Sequence, residues 1–282
     1  MKLTLPFLET MATQECNLSC DGCTNYSDID HTGYVAWTDM KAQLINWLTV
    51  LDIPDFGIIG GDPLINPEIR SWLTGIRELM PDSQIRFSTN GLLLPRNLDI
   101  VDLAHDIGNV VFKITLHRET NKLNEAVEHI FKRFDWEPVV EYGINRWRTT
   151  NNLRLQINRP TEFVKTYQGV YANMMPYNNT PSDAFEICCQ QTCPLLHNNK
   201  IYKCSTQGLL KETLARFDNP NLEQWQPYLV DGISRDETER IQKFVDNFGK
   251  SHGICQMCPS AADNAIIKHH IHVKIKNDLQ VQ

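Results

Sequence analysis

Cys16, Cys20 and Cys23 crowd three thiols into the stretch Cys16-Asn17-Leu18-Ser19-Cys20-Asp21-Gly22-Cys23. Spacings of three and two intervening residues let all three face one metal centre. Three thiolates are one short of a tetrahedral four-thiolate zinc site, and the loop has no histidine to complete it. A cubane iron–sulfur cluster is held by thiolates, normally four. Three would leave one iron open to a ligand that is not protein. The apolar-rich run Leu3 to Met11 comes shortly before, so the loop is expected to follow a strand.

The remaining cysteines are Cys188, Cys189, Cys193, Cys204, Cys255 and Cys258. Nine in all, clustered at two places, they read as metal ligands rather than disulfides in a reducing compartment. A length of 282 residues allows one large domain, or a large and a small one, with a sizeable core. Hydrophobic residues at 41% and charged residues at 22% are ordinary for a globular protein. A net charge of −7 argues against a nucleic-acid partner held through its phosphates. No apolar run approaches the ~20 residues that span a bilayer, so no membrane role is expected. The N-terminus has neither a basic region nor a small-residue cleavage site, and a cytoplasmic protein is expected.

Strand and helix patterns alternate after the first cysteine loop. Strands are expected at Leu3–Met11, Phe56–Ile59, Gln84–Phe87, Asn109–Leu116, Val139–Ile144, Leu153–Ile157 and Phe163–Tyr167. Between them, helical spacing of apolar residues covers Met40–Leu51 with Thr38 as cap, then Ile69–Leu79, Leu98–His105 and Leu123–Phe134. Such alternation argues an α/β fold with a parallel sheet and right-handed crossovers. A full (β/α)8 barrel typically needs about 250 residues. The chain before the second cysteine group is shorter, so a partial, TIM-like (β/α)6 barrel is expected. Asn173–Asp183 reads as a connector, and Asn198-Asn199 as the turn of a hairpin joining Leu195-Leu196 to Lys200–Lys203. Thr238–Phe248 reads as an amphipathic helix. The division is residues 1–180 for the partial barrel and 181–282 for a small unit of β-hairpin plus helices.

In a parallel α/β unit, ligands bind at the C-terminal ends of the strands. The cysteine loop follows the first strand, Gly60-Gly61-Asp62-Pro63 the second and Ser88-Thr89-Asn90-Gly91 the third. Lys113, Thr115 and His117 share one face at the end of the fourth. All four sets are expected at one mouth. Alone, Gly-Gly-Asp-Pro and Thr-Asn-Gly are ordinary turns; their succession after consecutive strands gives them meaning.

CxxxCxxC next to an N-terminal strand resembles the signature of the radical S-adenosylmethionine (radical SAM) enzymes. The resemblance implies that Cys16, Cys20 and Cys23 hold a [4Fe–4S] cluster whose open iron binds the amino group and carboxylate of SAM. Gly60-Gly61-Asp62-Pro63 resembles that family's Gly-Gly-Glu-Pro stretch at the methionine amino group, with Asp62 one methylene shorter than the usual Glu. Gly22 stands where many members carry an aromatic against the adenine. Ser88 and Asn90 match the third-strand position that meets SAM, and Thr115 is placed with them. Lys113 and His117 are candidates to bind substrate or take a proton; histidine titrates near neutrality.

The second cysteine group resembles the auxiliary-cluster (SPASM or shorter twitch) domains of the same superfamily. There a cysteine, a hairpin, a second cysteine and a late CxxC hold another [4Fe–4S] cluster. Cys204, Cys255 and Cys258 are the leading ligands, the fourth being Cys189 or Cys193, with Cys188 behind them. A spare thiol, Cys188 or Cys193, is a candidate hydrogen-atom donor, though a structural role is the plainer reading. Arg146, Trp147, Arg148, Arg159 and Lys165 form a basic cluster, read as a solvated face before an anion site. His269, His270 and His272 are read as surface residues.

The resemblance implies reductive cleavage of SAM to a 5′-deoxyadenosyl radical and hydrogen abstraction from a substrate C–H bond. By analogy with twitch-domain dehydrogenases of aminoglycoside biosynthesis, the leading reaction is dehydrogenation of a small molecule such as an alcohol. Peptide or protein side-chain modification, or epimerisation, is the runner-up. Only 15 residues precede Cys16, which weighs against a leader-peptide module. A flavodoxin- or ferredoxin-like electron donor is the implied partner. The reading from a different class is a non-catalytic interaction protein with two zinc sites.

Overall fold

The computed structural model describes residues 2–139, 146–268 and 273–275. Its centre is a nine-stranded sheet, numbered here in chain order: β1 Leu8–Met11, β2 Asp55–Ile59, β3 Gln84–Thr89, β4 Val110–Thr115, β5 Glu137–Pro138, β6 Arg146–Arg148, β7 Leu153–Asn158, β8 Leu195–His197 and β9 Lys200–Tyr202. The order is β9-β8-β1-β2-β3-β4-β7-β6-β5. The six strands from β8 to β7 run parallel. The antiparallel β9 lies at one edge and β6 and β5 at the other.

Period-two alternation gives the sheet two unlike faces. Leu8, Phe56, Ile58, Ile85, Phe87, Phe112, Ile114 and Leu155 point one way and are at most 1% exposed. They pack against α1 Trp37–Trp47, α2 Ile69–Leu79, α3 Asp99–Ile107 and α4 Asn121–Arg133, which bring Leu44, Trp72, Ile76, Val101 and Leu123 to the same core. The other face, bare of these helices, carries Glu9, Gly57, Arg86, Ser88, Lys113, Thr115 and Gln156. That face leads to the functional site.

Several expected elements take another form. The first strand is broken: Leu3–Thr4 pairs with Leu51–Asp52 in a separate ribbon, and only Leu8–Met11 joins the main sheet. Pro6, which has no N–H for a ladder, sits at the break. Thr38 lies inside α1 rather than at its cap; the Trp37 N–H is met instead by Glu68 Oε2 at 2.7 Å. Phe163–Tyr167 does not end the parallel sheet. Glu162–Val164 pairs antiparallel with Ile266–Lys268. The sixth parallel strand is β8, from the hairpin, which pairs with β1 through Leu195 opposite Glu9. Asn198 and Asn199 take φ of 48° and 59°, the left-handed pair that a two-residue hairpin turn requires. The expected strand Val139–Ile144 falls outside the described residues beyond Val139, and His269, His270 and His272 also lie outside them.

A second apolar cluster, with Tyr26, Tyr167, Met174, Leu209, Leu210, Trp225 and Met257, lies under the late cysteines. No described helix is long and apolar enough to cross a membrane.

Candidate functional site

One cavity of about 220 Å³ is lined by Cys16, Cys20, Cys23, Asn25, Gly60, Gly61, Ser88, Asn90, Thr115 and His117, among others. Four successive strand ends therefore meet there. The loop from Cys16 to Cys23 is held by backbone: Leu18–Cys20 pairs antiparallel with Val273–Ile275, and Cys23 N–H donates to Cys20 O at 3.1 Å. Gly22 takes φ 77°, and Ile267 and Lys165 fill the space where its side chain would point. Cys16 Sγ receives the Leu18 N–H at 3.4 Å and Asn90 Nδ2 at 3.7 Å. Both donors favour the thiolate.

The Gly60-Gly61-Asp62 segment is pressed against the chain entering the cysteine loop. Gly61 N–H donates to Thr13 O and Asp62 N–H to Glu15 O, each at 2.9 Å. A Cβ on Gly61 would lie 2.0 Å from Glu15 O. The two glycines thus let backbone approach backbone as well as open onto the cavity. Asp62 turns away from it. Its carboxylate is fully buried and accepts from Leu64 N–H at 2.9 Å, Thr89 Oγ1 at 2.8 Å and Asn90 N–H at 2.8 Å. Burial pushes its pKa up to about 6 even against these donors. Pro63 is buried in the 3-10 turn that Asp62 caps.

The late cysteines form a second group. Cys188, Cys189, Cys204, Cys255 and Cys258 line one cavity with Thr24, Lys203 and Thr206. Gln190 N–H donates to Cys188 Sγ at 3.3 Å and His252 N–H to Cys255 Sγ at 3.5 Å. Cys204 is the N-cap of the helix Ser205–Ala215, where the helix dipole favours a thiolate. Burial, helped by the neighbouring Cys188 and Cys255 thiols, pushes the Cys204 thiol up to about 12. Cys193 lies apart from this cavity; its thiol is pushed up to about 12 by burial and then by Glu9. Cys189 lines both cavities, and Thr24 does too. Among the described residues, no three His, Cys, Asp or Glu side chains converge as ligands of a lone metal ion.

His117 lines the first cavity with its ring 5.7 Å from that of Phe163. Lys113 does not line it. The basic cluster is dispersed into ion pairs: Lys165 with Asp21 at 3.1 Å, Arg159 with Glu119 at 3.0 Å and Arg148 with Glu137 at 3.7 Å. Two residues near the site escaped the sequence reading. Asn25 lines the cavity with a buried Oδ1 that has no partner among the described residues. Glu9 is buried on β1, and desolvation pushes it up to about 8 against the lowering fields of Lys113 and Arg86. Glu9 had a signal, a lone acid in an apolar strand.

A family model described as "4Fe-4S single cluster domain" matches residues 9–122, from β1 through the cysteine loop to β4 and the start of α4. Over these residues the chain is similar to iron–sulfur cluster proteins, in keeping with the radical SAM resemblance of its cysteine loop. Among its relatives, GTP 3′,8-cyclase of Geobacter sulfurreducens is 25% identical over 171 residues, covering 55% of this chain and 52% of the cyclase. Molybdenum cofactor biosynthesis protein 1 of Dictyostelium discoideum is 23% identical over 155 residues, covering 54% of this chain and 23% of that protein. The chain thus spans about half or less of the length of these relatives. A crystal structure of BtrN in complex with AdoMet and 2-DOIA aligns with a TM-score of 0.49 and 12% identity, covering 92% of this chain and 93% of that one.

The cofactors of a radical SAM protein are a [4Fe–4S] cluster and SAM, and the first cavity fits them. It offers three thiols with N–H donors already aimed at Cys16. It also leaves Asn25 Oδ1 and, beside Cys16, Asn17 Nδ2 buried without partners. Buried polar groups are rarely left so unless a ligand meets them.

Asp62 gives a direct test of how the first site is held. Asp62→Ala strands three buried donors, at about 1 kcal/mol or more each. A loss of about 3 kcal/mol is expected in urea unfolding. Asp62→Asn should lose less at neutral pH. Because the folded pKa of about 6 lies above the ordinary 3.8, the folded state holds this proton more tightly. The contribution of Asp62 is fullest below about pH 4 and declines as pH rises through about 6, so the variant's disadvantage should narrow over that range.

Proposed function

We propose that this chain reductively cleaves SAM and uses the resulting radical to oxidise a small molecule by two electrons. The reading is carried by one observation: the three-thiol cavity shares Cys189 and Thr24 with the late-cysteine cavity. A substrate between them would meet both. When bound, the first cluster and SAM supply a 5′-deoxyadenosyl radical that takes a hydrogen atom from a C–H bond, and a second cluster accepts the electron left behind.

The chain's own residues bind and orient. Cys16, Cys20 and Cys23 would hold the first cluster. Gly60, Gly61, Ser88, Asn90, Asn25 and Thr115 would seat SAM, and His117 would stand at the substrate side. Cys188, Cys204, Cys255 and Cys258 would hold the second cluster, since their thiols line one cavity, N–H donors meet Cys188 and Cys255, and Cys204 sits at a helix end. Buried thiols this close repel one another as thiolates, so loading with iron should release protons. Cys189 would face the substrate. Five parallel strands from residues 1–180, with β8 of the hairpin as the sixth, would form the partial barrel, and residues 181–282 would be the auxiliary-cluster unit that lends its hairpin to the sheet. A flavodoxin- or ferredoxin-like protein would deliver the electron.

The test is anaerobic reconstitution, then iron content and dithionite-dependent formation of 5′-deoxyadenosine from SAM. The wild type should hold about eight iron atoms, two cubanes. Cys188→Ala should hold about four, and Cys193→Ala about eight. Zinc at both sites and no SAM cleavage would return the protein to the non-catalytic reading.

A further inference from the structure

Asn25 follows the cysteine loop, and its side-chain amide is tied at one end only. Nδ2 donates to Gly60 O at 3.1 Å. That bond fixes which way the amide faces, because the flipped amide would set two carbonyl oxygens against each other. Oδ1 is therefore the open end. It is buried, has no partner among the described residues, and belongs to a residue that lines the first cavity. An amide oxygen only accepts, so whatever completes it must bring an N–H or O–H. Buried acceptors are seldom left open unless a ligand supplies the donor.

The nearby carboxylates are otherwise engaged. Asp62 spends its oxygens on Leu64 N–H, Thr89 Oγ1 and Asn90 N–H, and it is not among the cavity's described lining residues. Asp28 does line the cavity, and the Tyr171 O–H donates to it. We propose that Asn25 Oδ1, with Gly60 O beside it, receives the amino group of SAM and so fixes the methionyl end of the cofactor. An amine that gives its lone pair to iron keeps its N–H donors and has no acceptor left, and the Asn25–Gly60 pair offers acceptors only. Gly60 also opens the segment whose resemblance sets it at the methionine amino group, so the bond from Asn25 to Gly60 O brings both oxygens to that end. In this chain the cysteine loop, rather than the acid of the Gly-Gly-Asp-Pro stretch, thus supplies the side chain that recognises the amine. The inference rests on the SAM reading of the first cavity.

The experiment is anaerobic equilibrium dialysis of the reconstituted, unreduced full chain, so that no turnover occurs. The probes are SAM, its analogue lacking the methionyl amino group, and its inosine analogue lacking the adenine amino group. Asn25→Leu should bind SAM about tenfold more weakly than the wild type, with iron content and circular dichroism unchanged. Asn25→Ala gives the same reading without the added bulk. Loss of the methionyl amino group removes an iron ligand in every protein, so the comparison between proteins isolates Asn25. That loss should cost the wild type about tenfold more in affinity than it costs either variant. An equal cost in all three overturns the proposal. A difference that appears only with the inosine analogue moves Asn25 to the adenine end and overturns it. So does a difference found in Asp28→Asn and absent from both Asn25 variants, which gives the amine to Asp28. A wild type that loads iron at Cys16, Cys20 and Cys23 yet binds no SAM defeats the SAM reading itself, a result distinct from equal binding losses.

Discussion

Replacing Cys16, Cys20 and Cys23 together by alanine is expected to remove about four of about eight iron atoms per chain and all cleavage of SAM. The loss should stop at one cluster because the two thiol groups are supported separately. The loop's path is set by backbone pairing of Leu18–Cys20 with Val273–Ile275 and by the turn bonds Cys23 N–H to Cys20 O and Tyr26 N–H to Cys23 O. None of these uses a thiol. Tyr26, 1% exposed, anchors the far side of the loop in the second apolar cluster. The late thiols keep their own donors, Gln190 N–H and His252 N–H, and the helix end at Cys204. The variant should therefore fold, stay brown and be inert. Loss of all iron would mean that the second site forms only around the first. Loss of none would remove Cys16, Cys20 and Cys23 as ligands.

The first cavity was legible because short motifs at strand ends need only the strand order to converge, and apolar alternation gave the strands. What was illegible depends on distant partners. Nothing near Asp62 says that its carboxylate serves Leu64, Thr89 and Asn90 rather than a ligand. The choice is made by the approach of β3 to β2. The sixth parallel strand was misassigned because Phe163 and Leu195 open equally apolar runs. What separates them is pairing: β8 finds the free edge of β1, and Glu162–Val164 finds Ile266–Lys268. Among the late cysteines, spacing ranked Cys189 and Cys193 ahead of Cys188. The turn that follows helix Pro181–Glu186 brings Cys188 and Cys189 alike to the cavity of Cys204, Cys255 and Cys258, while Cys193 is not among its lining residues.

Gly61→Ala is expected to empty the first site as thoroughly as removing its cysteines, although every cysteine stays in the sequence. The added Cβ would lie 2.0 Å from Glu15 O, 2.3 Å from Glu15 C and 2.7 Å from Cys16 N. All three are backbone atoms, so no rotamer change relieves the clash. Carbon contacts settle at about 3.5–4.0 Å, so the two segments must separate by more than about 1 Å. That separation breaks the bonds from Gly61 N–H to Thr13 O and from Asp62 N–H to Glu15 O, and it carries Cys16 away from Cys20 and Cys23. It also pulls Asp62 from Thr89 and Asn90, so the third strand's turn loosens with it. A stability loss of about 3 kcal/mol or more should accompany a fall to about four iron atoms. Gly253→Ala is the matching control beside the late cysteines, since a Cβ there meets nothing within 4 Å. It should keep about eight iron atoms and wild-type stability. If Gly61→Ala does the same, the cysteine loop keeps its shape without the Gly-Gly segment behind it, and the site's geometry must be set by its ligands alone.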